Sequence, residues 1–556
     1  FRTGESGVET AVVSVRSDGL ERRVHLVLPH ADEVVPSPDG RRFAFTEGDN
    51  VYVVRVPASG FGGEEHTLNK RRGAFPVEAL STGGGAFPRW RDAGTVEFGN
   101  ADRYYVHRLD EESADTVRVA LEVERRRPGG TLAFTGAQIL TMAPGADPVE
   151  AGTVVVEGRR IACVGDCPVE GVDRVIDAEG ATIVPGLIDM HSHHYREHRG
   201  YRPQRDYELV IYLAYGVTTS LDNSMWSQNI FPTAELVEAG MTVGPRTFSS
   251  GDPLYRGDGP NQNELSSLDE TRKNVRRLKS WGAVSVKQYM QPRRDQRQWV
   301  SHAAREEGLM VTAESGDLFY NLSMIMDGQT GWEHPLSEAP VYEDLARFLG
   351  EARAVYSPTF VVAGPGPWNI EHFFAEEDVW TDPLQQRFMP WRLTAGHLRR
   401  RTLRPNTDYS FPLLAEGLKD IIDHGGFGAI GSHGEHHGPA AHWEVWMAAS
   451  ALGPVGALEV ATRHGAHFLG AEADLGTVEE GKLADLLILD SSPLDDIRNT
   501  MDLRFVMKDG VLYESDTLDE VWPETRPYGD YYWVNEDALR SDDVPMTRWD
   551  GGGGGD

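Results

Sequence analysis

The stretch VPGLIDMHSHHYREH, residues 184–198, is a run of apolar strand formers that ends in four histidines within eight positions. Residues two apart on a strand point the same way, so His191 and His193 project together from the strand's C-terminal end. Two imidazoles so placed can share one divalent ion, and zinc at about 2.0–2.1 Å is the common case. Histidines also cap strands or bond backbone carbonyls, so the pair acquires weight from what recurs further along the chain.

Downstream, about 290 residues alternate strand-like and helical runs, the pattern of a parallel (β/α)8 barrel. Eight strands are expected in order: GLIDMHSH, GVTTSLDN, RTFSSGD, AVSVKQY, LMVTAES, TGWEHP, AVYSPTF and FGAIGSH. In this fold catalytic groups gather at the C-terminal strand ends. Lys287 lies in the fourth strand, where a charged ammonium is costly unless paired or neutralised. A neutral amine there can take up carbon dioxide as a carbamate able to bridge two metals; a stem running past the barrel rim is the plainer reading. Glu314 on the fifth strand, His334 on the sixth and His433 on the eighth complete a set of ligand-type side chains on strand tips 1, 4, 5, 6 and 8. His302, His424, His436, His437 and His442 are read as surface or loop residues, with His436 and His437 best placed to back the ligands. His194 and His198 are read as facing elsewhere.

With 556 residues, 40% of them hydrophobic and 25% charged, and a mean hydropathy of -0.41, the composition is that of a globular protein of roughly three or four domains. No apolar run approaches the roughly 18 residues of a membrane helix, so no membrane span is expected. Phe1 opens nothing resembling a signal peptide, which suggests that an earlier segment has been lost. The net charge of -32 opposes nucleic acid and anionic membranes as partners. Only seven basic residues are lysines, so Lys287 in an apolar strand stands out. The two cysteines, Cys163 and Cys167, are close enough for a small disulfide loop, and two independent thiols fit the sequence equally well.

Residues 1–125 read as short strands with turn punctuation, as in VVPSPDGRRFAFTEGDNVYVVRV, with a weaker echo about 50 residues later. The phrase SPDGRRFAF resembles blades of TolB-like propellers. There is room for two or three blades where a closed propeller needs at least roughly four, so a second polypeptide is expected to supply the rest. EVERRRPGG then separates this region from a set of short strands, and similar β character returns after the barrel. Residues 516–556 are expected to form an acidic, aromatic tail that wraps or dangles.

Taken together, VPGLIDMHSH and GTVEEGKLADLLILD resemble the amidohydrolase superfamily, most closely its imidazolonepropionase and prolidase-like branch, whose members can carry an N-terminal TolB-like propeller. The resemblance covers nearly the whole chain. It implies a (β/α)8 barrel over 187–470, a small β-sandwich pairing 129–186 with 471–515, one or two zinc ions, and a homo-oligomer. His191, His193, Lys287 and His334 match metal-ligand positions of the family's pattern. Two positions depart from it: Glu314 stands where the fifth strand usually offers a histidine, and His433 where the eighth offers an aspartate. Glu314 can replace a ligand. His433 can act as base but not as an anionic bridge, and Glu435 is a second candidate for proton transfer.

The function implied is a metal-dependent hydrolase acting on an amide, cyclic amide or small peptide through metal-activated water. The missing aspartate leaves open a non-hydrolytic cyclase or dehydratase on the same site. A catalytically silent barrel with the propeller as binding module is the reading from another class. Tyr255, Tyr289, Arg293 and Arg294 fall on loops over the barrel mouth and are the expected substrate contacts, the arginines as partners for a carboxylate.

Overall fold

The computed structural model describes residues 10–56, 65–70, 73, 75–194, 203, 205–255, 265–362, 364–398, 401–531 and 533–534. His198 and the tail beyond 534 lie outside the described residues.

The Pro-Asp-Gly and Gly-Asp turns of the N-terminal region join strands as their chemistry dictates. Ser37 donates its hydroxyl to Asp39 at 2.6 Å, and Gly40 takes a φ of 67°. Strands Ala31–Pro36, Arg42–Glu47, Asn50–Arg55 and Val77–Ala79 form one antiparallel meander; Ala86–Asp92, Thr95–Asn100, Arg103–Arg108 and Asp115–Arg118 form a second. A smaller sheet joins Thr10–Ser14 and Arg23–Leu28, which precede them, to His66–Thr67, which falls in sequence between the last two strands of the first meander. The Trp90 indole donates to the Val35 carbonyl at 3.0 Å and so ties the meanders together. This region docks on barrel helix Leu268–Trp281. There the buried Arg277 lies 2.9 Å from Asp49 and 3.0 Å from Asp252, and Trp281 donates to Asn100 at 3.1 Å. Gly84 permits the approach, since a Cβ there would lie 2.8 Å from the Arg277 side chain.

The segment EVERRRPGG does more than separate domains. The Arg126 amide donates to Ala239 of the barrel at 3.1 Å, and its guanidinium to Glu520 at 2.8 Å. Beyond it, strands from both sides of the barrel join one nine-stranded sheet, in which Thr182–Pro185 runs antiparallel to Leu486–Leu489. One of the nine strands, Glu520–Trp522, comes from the segment expected to be tail, because it pairs with Val511–Glu514. Cys163 and Cys167, in the same sheet's outer hairpin, are bonded to each other.

The barrel strands are β1 (Leu187–Ser192), β2 (Val217–Asp222), β3 (Arg246–Ser249), β4 (Ser285–Tyr289), β5 (Met310–Thr312), β6 (Gly331–Glu333), β7 (Val355–Ser357) and β8 (Phe427–Gly428). They are parallel and lie where the eight apolar runs stand in the sequence. Bridges Glu314–Glu333 and Asp189–Ile430, with the Val284 amide bonded to Ser249 at 3.2 Å, close the ring. The helix after β8 belongs to the helical stretch Pro439–Phe468, which is long and apolar enough to cross a membrane by length and composition, contrary to the sequence expectation. The barrel gives its apolarity another cause: Trp443, Val445, Met447 and Glu444 are buried, and the stretch is interrupted at Gly453, where φ is 69° and ψ 175°.

The seam between β1, β8 and β7 is short of ladder bonds because β8 spans only two residues. Two fully buried carboxyls fill the gap. Asp189 accepts from the His191 amide at 3.0 Å, the Ser432 amide at 3.3 Å and the Ser432 hydroxyl. Glu444 accepts from the Val361 amide at 2.8 Å and the Gly431 amide at 3.4 Å. Burial pushes Asp189 up to about 6 and Glu444 up to about 8.

Two outcomes are expected. Arg277→Ala removes the cation between Asp49 and Asp252, so limited proteolysis should cut within residues 81–125 at protease levels that leave the parent protein intact. A carboxyl with a raised folded value holds its proton where the unfolded chain has released it, so stability falls as pH rises from 4.5 to about 8 for Glu444 and from 3.8 to about 6 for Asp189. Urea unfolding of the metal-free protein should therefore weaken across both windows. In Glu444→Gln the decline above about pH 6 should flatten while the decline below it persists.

Candidate metal centre

His191 ends in β1 and His193 lies just beyond it, with ring centroids 5.0 Å apart. His334 follows β6 and His433 lies past β8; both adopt left-handed backbone, with φ of 69° and 60°. That conformation is sparsely populated by residues other than glycine and turns both rings across the barrel axis. The His433 ring stands 4.8 Å from His191, 4.6 Å from His193 and 5.1 Å from His334. Ligand atoms of His191, His334 and His433 lie within 4.8 Å of one another. Gly431 lets the tips approach, since a Cβ there would fall 2.6 Å from the His191 Cβ.

Hydrogen bonds set the tautomers. The Thr359 hydroxyl donates to Pro358 at 2.7 Å, so its 2.6 Å contact with His334 Nδ1 is one it accepts, leaving Nε2 a lone pair. Glu435 lies 3.2 Å from His433 Nδ1, and Asp222 3.3 Å from His193 Nδ1. These are carboxylate–histidine pairs of the kind that orient metal ligands. His191 Nδ1 is buried without a hydrogen bond, and burial first, then the charge of Lys287, holds that imidazole well below its ordinary value. His334 Nε2 and Glu314 Oε1 face each other at 3.4 Å. Two acceptors at that separation need a positive species between them, a proton or a metal ion. Burial raises the Glu314 carboxyl, but a proton shared with His334, the Lys287 charge and the Tyr289 hydroxyl outweigh it and hold it down to about 2. A buried orphan nitrogen, imidazoles with Nδ1 engaged from behind and an adjoining carboxylate form a donor set that fits a divalent cation.

Lys287 is buried at 1% exposure and does not run out past the rim. Its ammonium is paired with Glu333 and lies 4.0 Å from Glu314. Glu333, fully buried, also accepts from Asn223 at 2.6 Å and lies 3.5 Å from His191 Nδ1. Sequence reasoning missed it for a physical reason: in an extended strand the neighbour of His334 points to the opposite face, and the left-handed turn at His334 breaks that alternation. Its signal was the pair Glu333-His334 itself.

Tyr289 bonds Glu314, and the Tyr255 ring lies 4.1 Å from the Tyr289 ring at a 40° tilt, so both tyrosines adjoin the cluster. Arg293 turns instead to Asp295 at 3.0 Å, and Arg294 grips Asp327 with two 2.8 Å bonds on the outer side of helix Arg294–Glu307. Neither arginine has a contact with the cluster among the described residues. His437 Nε2 meets the His193 carbonyl at 3.0 Å, whereas His436 stacks on Trp443. His194 turns to Ser192 and Ser220, at 3.3 and 3.4 Å. His442 is occupied by Tyr215 and Thr500, and burial takes it down to about 4.

Residues 416–513 match the amidohydrolase family. A 5'-deoxyadenosine deaminase of Methanosarcina mazei is 44% identical over 57 residues, 10% of this chain and 13% of its own length. An imidazolonepropionase of Anaeromyxobacter sp. (strain K) is 42% identical over 78 residues, 12% of this chain and 18% of its own. The chain thus spans less than a fifth of these curated relatives. A crystallised prolidase complexed with N-methylphosphonate-L-proline shares the fold at a TM-score of 0.55 and 23% identity, over 69% of this chain and 99% of its own. The segment that matches the amidohydrolase family contains His433, Glu435 and Glu444, and the barrel fold is shared with a prolidase.

Proposed function

We propose that the chain is a metal-dependent hydrolase of the amidohydrolase superfamily that cleaves the C–N bond of an amide, cyclic amide or small peptide. The observation that carries this reading is the convergence of His191, His193, His334 and His433 with Glu314 as acceptors inside a closed ring. These residues would hold the ion, and imidazole with carboxylate suits zinc. A divalent ion bound there lowers the pKa of its water and polarises a carbonyl.

The chain's own groups do the rest. Glu435, bonded to His433 Nδ1, orients that ring and can accept or return a proton beside it. Tyr289, held by Glu314, presents a hydroxyl to the substrate side of the cluster, with Tyr255 against it. Lys287 acts in one of two states: as the ammonium paired with Glu333, or as a carbamate ligand once Glu333 has turned away. With Arg293 and Arg294 engaged by Asp295 and Asp327, a carboxylate on the substrate is not required for recognition. The imidazole at the eighth strand tip, where an aspartate is usual, favours ring closure or dehydration as the second reading. The two four-stranded antiparallel meanders are compatible in strand order with blades of a partial TolB-like propeller, whose completion by a second polypeptide is part of the proposal.

Metal analysis of the purified protein should find about one or two zinc ions per chain, and His191→Ala, which removes a ligand, should lose metal and activity. Glu314→Gln should lower metal affinity as well; unchanged metal content would remove Glu314 from the ligand set. The metal-loaded protein should hydrolyse members of a panel of dipeptides, hydantoins and lactams. If it cleaves none of them yet closes a linear precursor, the second reading replaces the first.

A further inference from the structure

We propose that Asp189 and Glu444 are positioning residues that set where the His191, His334 and His433 rings stand, by tying together the tips of β1, β7 and β8 where the sheet's ladder has run out. The inference rests on the metal-dependent reading above.

The β8 ladder covers Phe427–Gly428, and His433 stands five residues beyond it. Backbone past the end of a ladder opens easily unless other bonds hold it. Direct bonds do part of this: the Met190 amide reaches Ile430 at 3.0 Å and the His433 amide reaches His191 at 2.7 Å. The carboxyls do the part that crosses between tips. Asp189 holds the amide of His191 and that of Ser432, the residue before His433. Glu444 holds Gly431, two residues before His433, and Val361, two residues after the Thr359 that receives His334 Nδ1. Each clustered imidazole is thus within two residues of a carboxyl-held amide, or bonded to a side chain that is. Gly431 transmits any shift directly, because the space for its Cβ is filled by His191, Ser357 and Thr359.

Both carboxyls are 0% exposed, and burial is the largest influence on each. Burial of such a group is costly without compensation. Its value here lies in two oxygens facing amides on two different strand tips; in the protonated acid the hydroxyl oxygen still accepts, whereas in glutamine at 444 one position becomes a nitrogen that donates and faces an amide as a second donor. Asparagine at 189 meets no such conflict: its oxygen serves the two amides, and its nitrogen can donate to the Ser432 hydroxyl, which then donates onward towards Tyr212 Oη, 3.3 Å away.

The test compares Asp189→Asn, Asp189→Ala and Glu444→Gln with the parent full-length protein, using cobalt(II) alone as probe. Chelator competition should show cobalt affinity weakened about 10–100-fold in Asp189→Ala and Glu444→Gln, with altered d–d absorption bands, and both restored in Asp189→Asn. Hydrogen exchange of the metal-free proteins should quicken in peptides covering 187–194, 357–362 and 429–434 but not in helix Tyr207–Ala214. Parent-like cobalt affinity and bands in Glu444→Gln would overturn the proposal even if Asp189→Ala fails to fold, as would an Asp189→Asn no better than Asp189→Ala. Should the parent protein itself bind no cobalt, the metal reading falls, and the exchange result alone decides: unchanged rates at the three tips would refute the positioning role.

Discussion

Inside the ring, the His334 nitrogen and the Glu314 oxygen face each other at 3.4 Å, a separation that needs a proton or cation between them, and the nearby His191 Nδ1 is buried without a hydrogen bond. Leaving such groups unsatisfied costs roughly 1–3 kcal/mol each. A polypeptide that folds into this arrangement has stored an affinity for positive charge at one point. Lys287 answers part of it through Glu333, and the histidine tautomers, fixed from behind by Thr359, Asp222 and Glu435, leave the remainder directed at the centre.

The arrangement depends on unusual backbone. His334 and His433 occupy a region that costs on the order of 1–3 kcal/mol per residue and persists only when the surroundings over-determine it. The surroundings here are the amide bonds accepted by Asp189 and Glu444 and the close contact at Gly431. Short strands and left-handed tips go together: where the ladder ends early, the chain is free to turn its side chains inward, and other groups must hold it there.

The rest of the molecule braces the barrel. Strands from both of its ends meet in one sheet, so the approach to β1 and the exit past β8 are held at a common seam. Arg126 spans the linker, a barrel helix and the last strand of that sheet, and Arg277 fixes the N-terminal meanders to the helix before β4. Buried or half-buried guanidinium pairs of this kind contribute register between domains more than net stability.

Much of this was legible in the residues themselves. The eight barrel strands stand where apolar runs stand, because burial on both faces makes a parallel strand a continuous apolar word. His191, His193, Lys287, Glu314, His334 and His433 were nameable because strand tips of such a barrel converge. Other features were settled only in three dimensions. Glu333 joined the cluster through a left-handed turn that strand alternation does not foresee, and Arg293 and Arg294 were drawn off by Asp295 and Asp327, acids whose proximity no spacing announced. Helix Pro439–Glu459 is apolar because it lies against the barrel, a matter of its neighbours. Local sequence determines which residues sit on which tip, since that follows from periodicity; which of them touch depends on φ, on paired charges and on contacts between distant segments, and those exist only once the ring has closed.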